Sequence, residues 1–127
     1  MSLHILIVDD SPSLRRMVEQ SLATSGFTVA ACSSAADAVR AAELSPVDVV
    51  VTDLNMPETD GIALTRRLRL IPNTAKCPIL ILTTETAMTR KEEARQAGAS
   101  GWIVKPFRPE TLIRAIQTVS SRSRARA

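Results

Sequence analysis

Four short apolar runs constrain this chain more than any other feature. Ile5-Leu6-Ile7-Val8, Val49-Val50-Val51, Ile79-Leu80-Ile81-Leu82 and Trp102-Ile103-Val104 contain no charged residue. The unbroken apolar character of Val49-Val50-Val51 and Ile79-Leu80-Ile81-Leu82 suits strands covered on both faces. Helical patterns fill the intervals between the runs. Strands that alternate with helices in this way give an α/β domain with a mostly parallel sheet and right-handed crossovers. Each run also stops at a polar group: Asp9-Asp10, Asp53, Thr83 and Lys105. Ligands of open parallel sheets sit outside the carboxyl ends of the strands. Parallel pairing therefore gathers three carboxylates, a hydroxyl and an ammonium in one crevice.

The elements follow from spacing and punctuation. A first strand is expected over residues 4–8. Ser11-Pro12 opens a helix carrying Leu14, Met17, Val18 and Leu22, which Gly26 stops. A second strand spans 27–32. Ser34 caps a small-residue helix over 35–44, which Ser45-Pro46 breaks. A third strand spans 47–52. After a loop with Pro57 and Gly61, a helix carries Leu64, Leu68 and Ile71 and ends at Pro72-Asn73. A fourth strand spans 78–82. The helix expected over 87–97 is the weakest amphipath, with only Met88, Ala94 and Ala97 facing inward, and Gly98 ends it. A fifth strand spans 102–104. The last helix starts near Pro109, turns Leu112, Ile113, Ile116 and Val119 inward, and ends near Ser121. Residues 1–121 thus form one domain, and 122–127, with Arg122, Arg124 and Arg126, a short basic disordered tail.

Composition narrows the function classes. A chain of 127 residues makes one domain with one core. No apolar stretch reaches the length of a membrane span, and the first residues lack a signal-peptide pattern. Cys32 and Cys77 are too few for a disulfide framework and lack metal-ligand spacing, which suits reduced thiols in the cytoplasm. The net charge of +3 hides an asymmetry: residues 1–60 hold three basic and nine acidic side chains, residues 61–127 thirteen and four. Aromatic interleaving and a basic recognition helix are both missing, so nucleic acid is not the expected partner.

Three carboxylates brought together repel, and a cation offsets that repulsion. Hard oxygen ligands with room for water favour Mg²⁺. A cation and an ammonium neutralise phosphoryl oxygens, a hydroxyl fixes one of them, and a carboxylate can accept the phosphoryl group. His4, the only histidine, begins the first strand at the end opposite the crevice.

With these residues in order, the chain resembles the receiver domains of two-component response regulators. The motifs are Val8-Asp9-Asp10-Ser11, Asp53-Leu54-Asn55-Met56-Pro57, Asp60-Gly61, Leu82-Thr83-Thr84 and Lys105-Pro106-Phe107. The resemblance implies a doubly wound (βα)5 flavodoxin-like fold with strand order 2-1-3-4-5. It implies Asp53 as phosphoacceptor and as part of the metal site. Asp10 and the backbone carbonyl of Asn55 become direct Mg²⁺ ligands, and Asp9 one acting through water. Thr83 and Lys105 become the pair that senses the phosphoryl group, with a cis Lys105-Pro106 bond. Trp102 falls at the family's switch aromatic, commonly Tyr or Phe, and Thr84 stands where a smaller residue is frequent. Both departures bear on the space for ring rotation. Asn55 and Glu85 flank the site and orient water, which implies a phosphoryl group lasting seconds to minutes.

The expected function is therefore that of a stand-alone phosphoacceptor signalling protein rather than an enzyme. A sensor histidine kinase is the implied donor. The output is a changed protein-binding surface on helix 4, strand 5 and helix 5, and chemotaxis-type receivers that bind a flagellar motor switch are the nearest likeness. A shuttle or sink in a phosphorelay is the alternative. Two other classes stay open: an Mg²⁺-dependent phosphatase, whose usual Asp-x-Asp spacing and cap domain are missing, and a nucleotide-binding flavodoxin-type module, whose anion loop would clash with Asp9-Asp10.

Overall fold

Three of the apolar runs become the interior of a sheet, and the fourth, Trp102-Ile103-Val104, its half-buried edge. The computed structural model describes residues 3–84 and 88–125, the last three through their backbone alone. The strands are β1 (His4–Val8), β2 (Thr28–Cys32), β3 (Val49–Asp53), β4 (Ile79–Thr83) and β5 (Gly101–Val104). They form one parallel sheet in the order β2-β1-β3-β4-β5. Between and after them run α1 (Pro12–Thr24), α2 (Ala35–Leu44), α3 (Gly61–Leu68), α4 (Met88–Ala97) and α5 (Pro109–Ala125). This is the expected doubly wound, flavodoxin-like architecture. Among the described residues, no helix is long and apolar enough to cross a membrane.

Every residue of β3 and β4 is buried, whereas the edge strand β2 is largely exposed. On one face Ile5, Ile7, Val49, Val51, Leu80 and Leu82 pack against Val18 and Leu22 of α1 and Leu112 and Ile116 of α5. On the other, Leu6, Val8, Val50 and Ile79 meet Ala35, Ala38 and Ala42 of α2 and Leu64 and Leu68 of α3. Ala94 and Ala97 of α4 pack with Leu54, Ile62 and Ile81. A fully buried leucine contributes ~2 kcal/mol by leaving water, and an alanine much less. Helix α4 is therefore held by less apolar burial than its neighbours.

Side chains and special residues set the ends. The hydroxyl of Ser34 accepts from the Asp37 N–H at 3.2 Å, and Asp60 Oδ1 accepts from the Ala63 N–H at 2.8 Å. Gly61 opens α3 so close to β3 that a Cβ there would lie 2.5 Å from the Asp53 carbonyl oxygen. Gly98 ends α4 at φ +108°, a conformation that favours glycine.

Several boundaries differ from expectation. Helix α3 stops at Leu68, not at Ile71. The N–H groups of Leu70 and Ile71 bond three residues back, to Arg67 and Leu68. Pro72 disfavours a helical conformation at the residue before it, yet Ile71 still packs on the core. Helix α5 runs to Ala125 rather than ending near Ser121, so the expected disordered tail at 122–127 is helical through residue 125. No glycine or proline follows Ser121, and Arg and Ala both favour helix. Strands β3 and β4 each reach one residue further than expected, so Asp53 and Thr83 are strand residues. The ladder continues beyond them, from the Leu54 N–H to the Leu82 carbonyl at 2.8 Å and from the Lys105 N–H to the Thr83 carbonyl at 2.7 Å. Ala87, the expected start of α4, lies outside the described residues.

Candidate functional site

Register carries the polar residues to one place. Val8 pairs with Thr52 and Thr83 with Val104, so Asp9, Asp53 and Lys105 emerge together at the carboxyl end of the sheet. One carboxylate oxygen from each of Asp9, Asp10 and Asp53 lies within 4.8 Å of the others. Lys105 Nζ donates to Asp53 Oδ1 at 2.9 Å. The same ammonium stands 3.9 Å from Asp9 Oδ2, an ion-pair distance too long for a hydrogen bond. The Lys105–Pro106 peptide bond is cis.

Asp9 is almost wholly buried, at 2% exposure, while Asp10 is exposed. Asp9 Oδ1 accepts from the Ser11 N–H at 2.8 Å, and Oδ2 is buried without a hydrogen-bond partner. Burial raises the Asp9 carboxyl above its ordinary value. The charge of Asp53 adds to that rise, and the Ser11 N–H and Lys105 oppose it. A buried carboxylate oxygen lacking a donor is costly unless something positive meets it. Three converging carboxylates, one with such an oxygen, fit a hard divalent cation.

Thr83 is buried at the end of β4. Trp102 is half-buried in β5, opposite Ile81, and packs on the cluster under α4. A groove of about 660 Å³ opens beside it, with Ile103, Arg108, Arg114 and Ala115 among its walls. Thr84 is exposed, and Asn55 is exposed in the loop after β3. Glu85 lies outside the described residues. His4 is exposed at the far end of β1, where its N–H donates to Asp48 Oδ2 at 2.7 Å.

Two arginines, Arg15 and Arg90, reach the frame of this site, and a third, Arg69, ties segments at the opposite end of the sheet; none stands out by periodicity. Arg15 Nη1 donates to the Asp9 carbonyl at 2.7 Å. Arg90 pairs with Asp60 at 3.3 Å, joining α4 to the cap of α3. Arg69 bonds the Thr74 and Cys77 carbonyls before β4 and the Gly98 carbonyl just after α4. Only their position on a polar helix face is legible in sequence, and that position does not tell a surface charge from a tether.

A family model described as the response regulator receiver domain matches residues 5–117. The chain belongs to this family. Among solved structures, the receiver resembles chemotaxis response regulator CheY4 of Vibrio cholerae, with a TM-score of 0.91 and 39% identity over 94% of this chain and 99% of that one. It also resembles the receiver domain of sensor histidine kinase PA1611 from Pseudomonas aeruginosa, with a TM-score of 0.86 and 30% identity over 95% and 99% of the two chains. That structure is described with a magnesium ion coordinated in the active site cleft. The transcriptional regulatory protein KdpE of Mycobacterium tuberculosis is 32% identical over 97% of this chain but only 53% of its own length. The receiver thus spans about half the length of KdpE and of similar curated relatives. A general role in two-component signalling follows from membership of the family.

Proposed function

We propose that the chain is an Mg²⁺-dependent phosphoacceptor that takes a phosphoryl group from a sensor histidine kinase onto Asp53. The observation that carries this reading is the joint placement of Asp9, Asp10 and Asp53 with the Lys105 ammonium. An oxygen of Asp53 forms the new bond to phosphorus as the bond from phosphorus to the donor breaks. Asp10, Asp53 and the Asn55 carbonyl would hold the cation, with Asp9 acting through water. The cation, when bound, neutralises phosphoryl oxygens. Lys105 exchanges its contact with Asp53 for one to a phosphoryl oxygen, and the Thr83 hydroxyl takes another. The protein does not turn over a substrate pool, and its place is the cytoplasm.

Intact-mass measurement after incubation with acetyl phosphate tests this. Wild type is expected to gain one phosphate with Mg²⁺ and none with a chelator, and Asp53→Ala to gain none. Undiminished labelling of Asp53→Ala would overturn the assignment.

The output is a protein-binding surface on α4, β5 and α5. Helix α4 has little apolar burial, which makes its displacement inexpensive. It is fastened at its ends by polar contacts, Arg90 to Asp60 and Gly98 to Arg69. Thr83, drawn to the phosphoryl oxygens, vacates space beside Trp102, which becomes more buried. Trp102 is the only tryptophan and reports on itself. Beryllofluoride is expected to reduce access of a quencher to Trp102 in wild type and not in Thr83→Ala. Unchanged access while partner binding still responds would assign the signal to α4 alone.

Control of a flagellar motor switch is the first reading of this output, supported by likeness to CheY4 over 99% of that chain. Likeness to the receiver domain of sensor histidine kinase PA1611 favours a second, in which the same receiver chemistry serves as a phosphate shuttle or sink in a relay.

A further inference from the structure

Asp9 is held at three atoms. Its N–H donates to the Cys32 carbonyl at 3.0 Å, at the end of β2. Its Oδ1 accepts from the Ser11 N–H at 2.8 Å. Its carbonyl oxygen accepts from Arg15 Nη1 at 2.7 Å. The first two bonds belong to a sheet edge and a helix cap. The third comes from a half-buried side chain on the first turns of α1. The carbonyl that Arg15 holds is part of the Asp9–Asp10 peptide. Asp10 is exposed, so the direction of its carboxylate rests on the backbone that carries it. A guanidinium is a rigid, permanently charged fork, and a peptide plane held by it at the oxygen resists rotation.

We propose that Arg15 is a positioning residue of the cation site: by holding the Asp9 carbonyl it fixes the Asp9–Asp10 peptide and keeps both carboxylates converged with Asp53. This rests on the metal-dependent reading above. Groups that orient metal ligands from behind change affinity about 10- to 100-fold when removed.

Charge and positioning act here with opposite signs. A positive group beside three carboxylates repels a cation, so deleting it for charge alone would tighten Mg²⁺ binding. Deleting it for position weakens binding. A purely architectural Arg15, tying α1 to the sheet, would alter melting and leave the affinity of the folded protein unchanged. Neighbouring Arg16 is exposed and serves as the charge control.

The test is Mg²⁺ titration by calorimetry on the metal-free chain, with melting followed in parallel. Arg15→Ala is expected to bind Mg²⁺ about tenfold more weakly than wild type. Arg16→Ala is expected to bind as tightly as wild type or slightly more tightly. Should Arg15→Ala fail to fold, Arg15→Met keeps the apolar stem and is judged by the same criterion. Equal or tighter binding by a folded Arg15 variant overturns the positioning role and leaves the phosphoacceptor reading standing. Wild type that binds no Mg²⁺ overturns both.

Discussion

Truncating Arg69 to alanine is expected to lower the unfolding free energy by ~3 kcal/mol, a large effect for a side chain outside the apolar core. Arg69 caps the end of α3 and turns its guanidinium into the segment before β4. Its Nη1 donates to the carbonyls of Thr74 at 2.8 Å, Ala75 at 3.3 Å and Cys77 at 2.6 Å. Nη2 and Nε both reach the Gly98 carbonyl, at 2.6 and 3.2 Å. One charged group thus serves four backbone acceptors, three in the segment before β4 and one just after α4. Each bond to a charged donor contributes ~1.5–3 kcal/mol, and water recovers part of the loss because the site is only partly buried. Gly98 belongs to the same arrangement, since a Cβ there would lie 2.8 Å from Arg69 Nε. A lysine carries one compact ammonium and cannot span these acceptors, so Arg69→Lys is expected to recover less than half of the loss. Urea unfolding measures both variants. A change under ~1 kcal/mol in Arg69→Ala would show that solvent replaces the guanidinium.

Replacing Asp9 with asparagine is expected to have opposite effects on the metal-free and metal-bound protein. Burial holds the Asp9 carboxyl above its usual value in the folded chain, with Asp53 adding to the effect. The folded state therefore binds the proton more readily than the unfolded state. Stability is favoured at low pH and is lost as pH rises from the unfolded value through the raised folded one. At neutral pH the ionised Asp9 opposes folding of the metal-free chain. Asparagine keeps an oxygen for the Ser11 N–H and removes the charge. Metal-free Asp9→Asn is expected to melt several degrees higher than wild type at pH 7, with the difference shrinking as pH falls toward 4. Its Mg²⁺ affinity is expected to drop about 10- to 100-fold. Added Mg²⁺ should then raise the melting point of wild type far more than that of the variant. A variant that melts lower than wild type in chelator would mean that Lys105 already neutralises Asp9.

How much of the fold and the site is legible in the sequence varies with the kind of signal. Val49-Val50-Val51 and Ile79-Leu80-Ile81-Leu82 announce strands covered on both faces, because no polar residue interrupts them. Their ends announce the crevice, since parallel pairing leaves Asp9, Asp53, Thr83 and Lys105 no other place to meet. Helix ends were less legible. The spacing of Leu64, Leu68 and Ile71 reads as one helix, yet tight turn bonds and Pro72 end it early while Ile71 keeps its burial. Arg122-Ser123-Arg124-Ala125 reads as a tail by charge, although nothing in it stops α5. Arg15, Arg69 and Arg90 were invisible as tethers. Each bonds to backbone or to a distant carboxylate, and such partners are set by the fold rather than by a spacing in the chain.

The proposed phosphoacceptor role places the new phosphorus bond on Asp53 and makes its formation depend on a cation. Borohydride reduces an acyl phosphate to an alcohol and so converts a phosphorylated aspartate to homoserine. The chain should be treated with acetyl phosphate, reduced, digested and sequenced by mass spectrometry. Homoserine is expected at position 53 in Mg²⁺, aspartate at positions 9 and 10, and aspartate at all three when a chelator is present. Homoserine at position 9 or 10, or equal conversion at 53 without the cation, would contradict it.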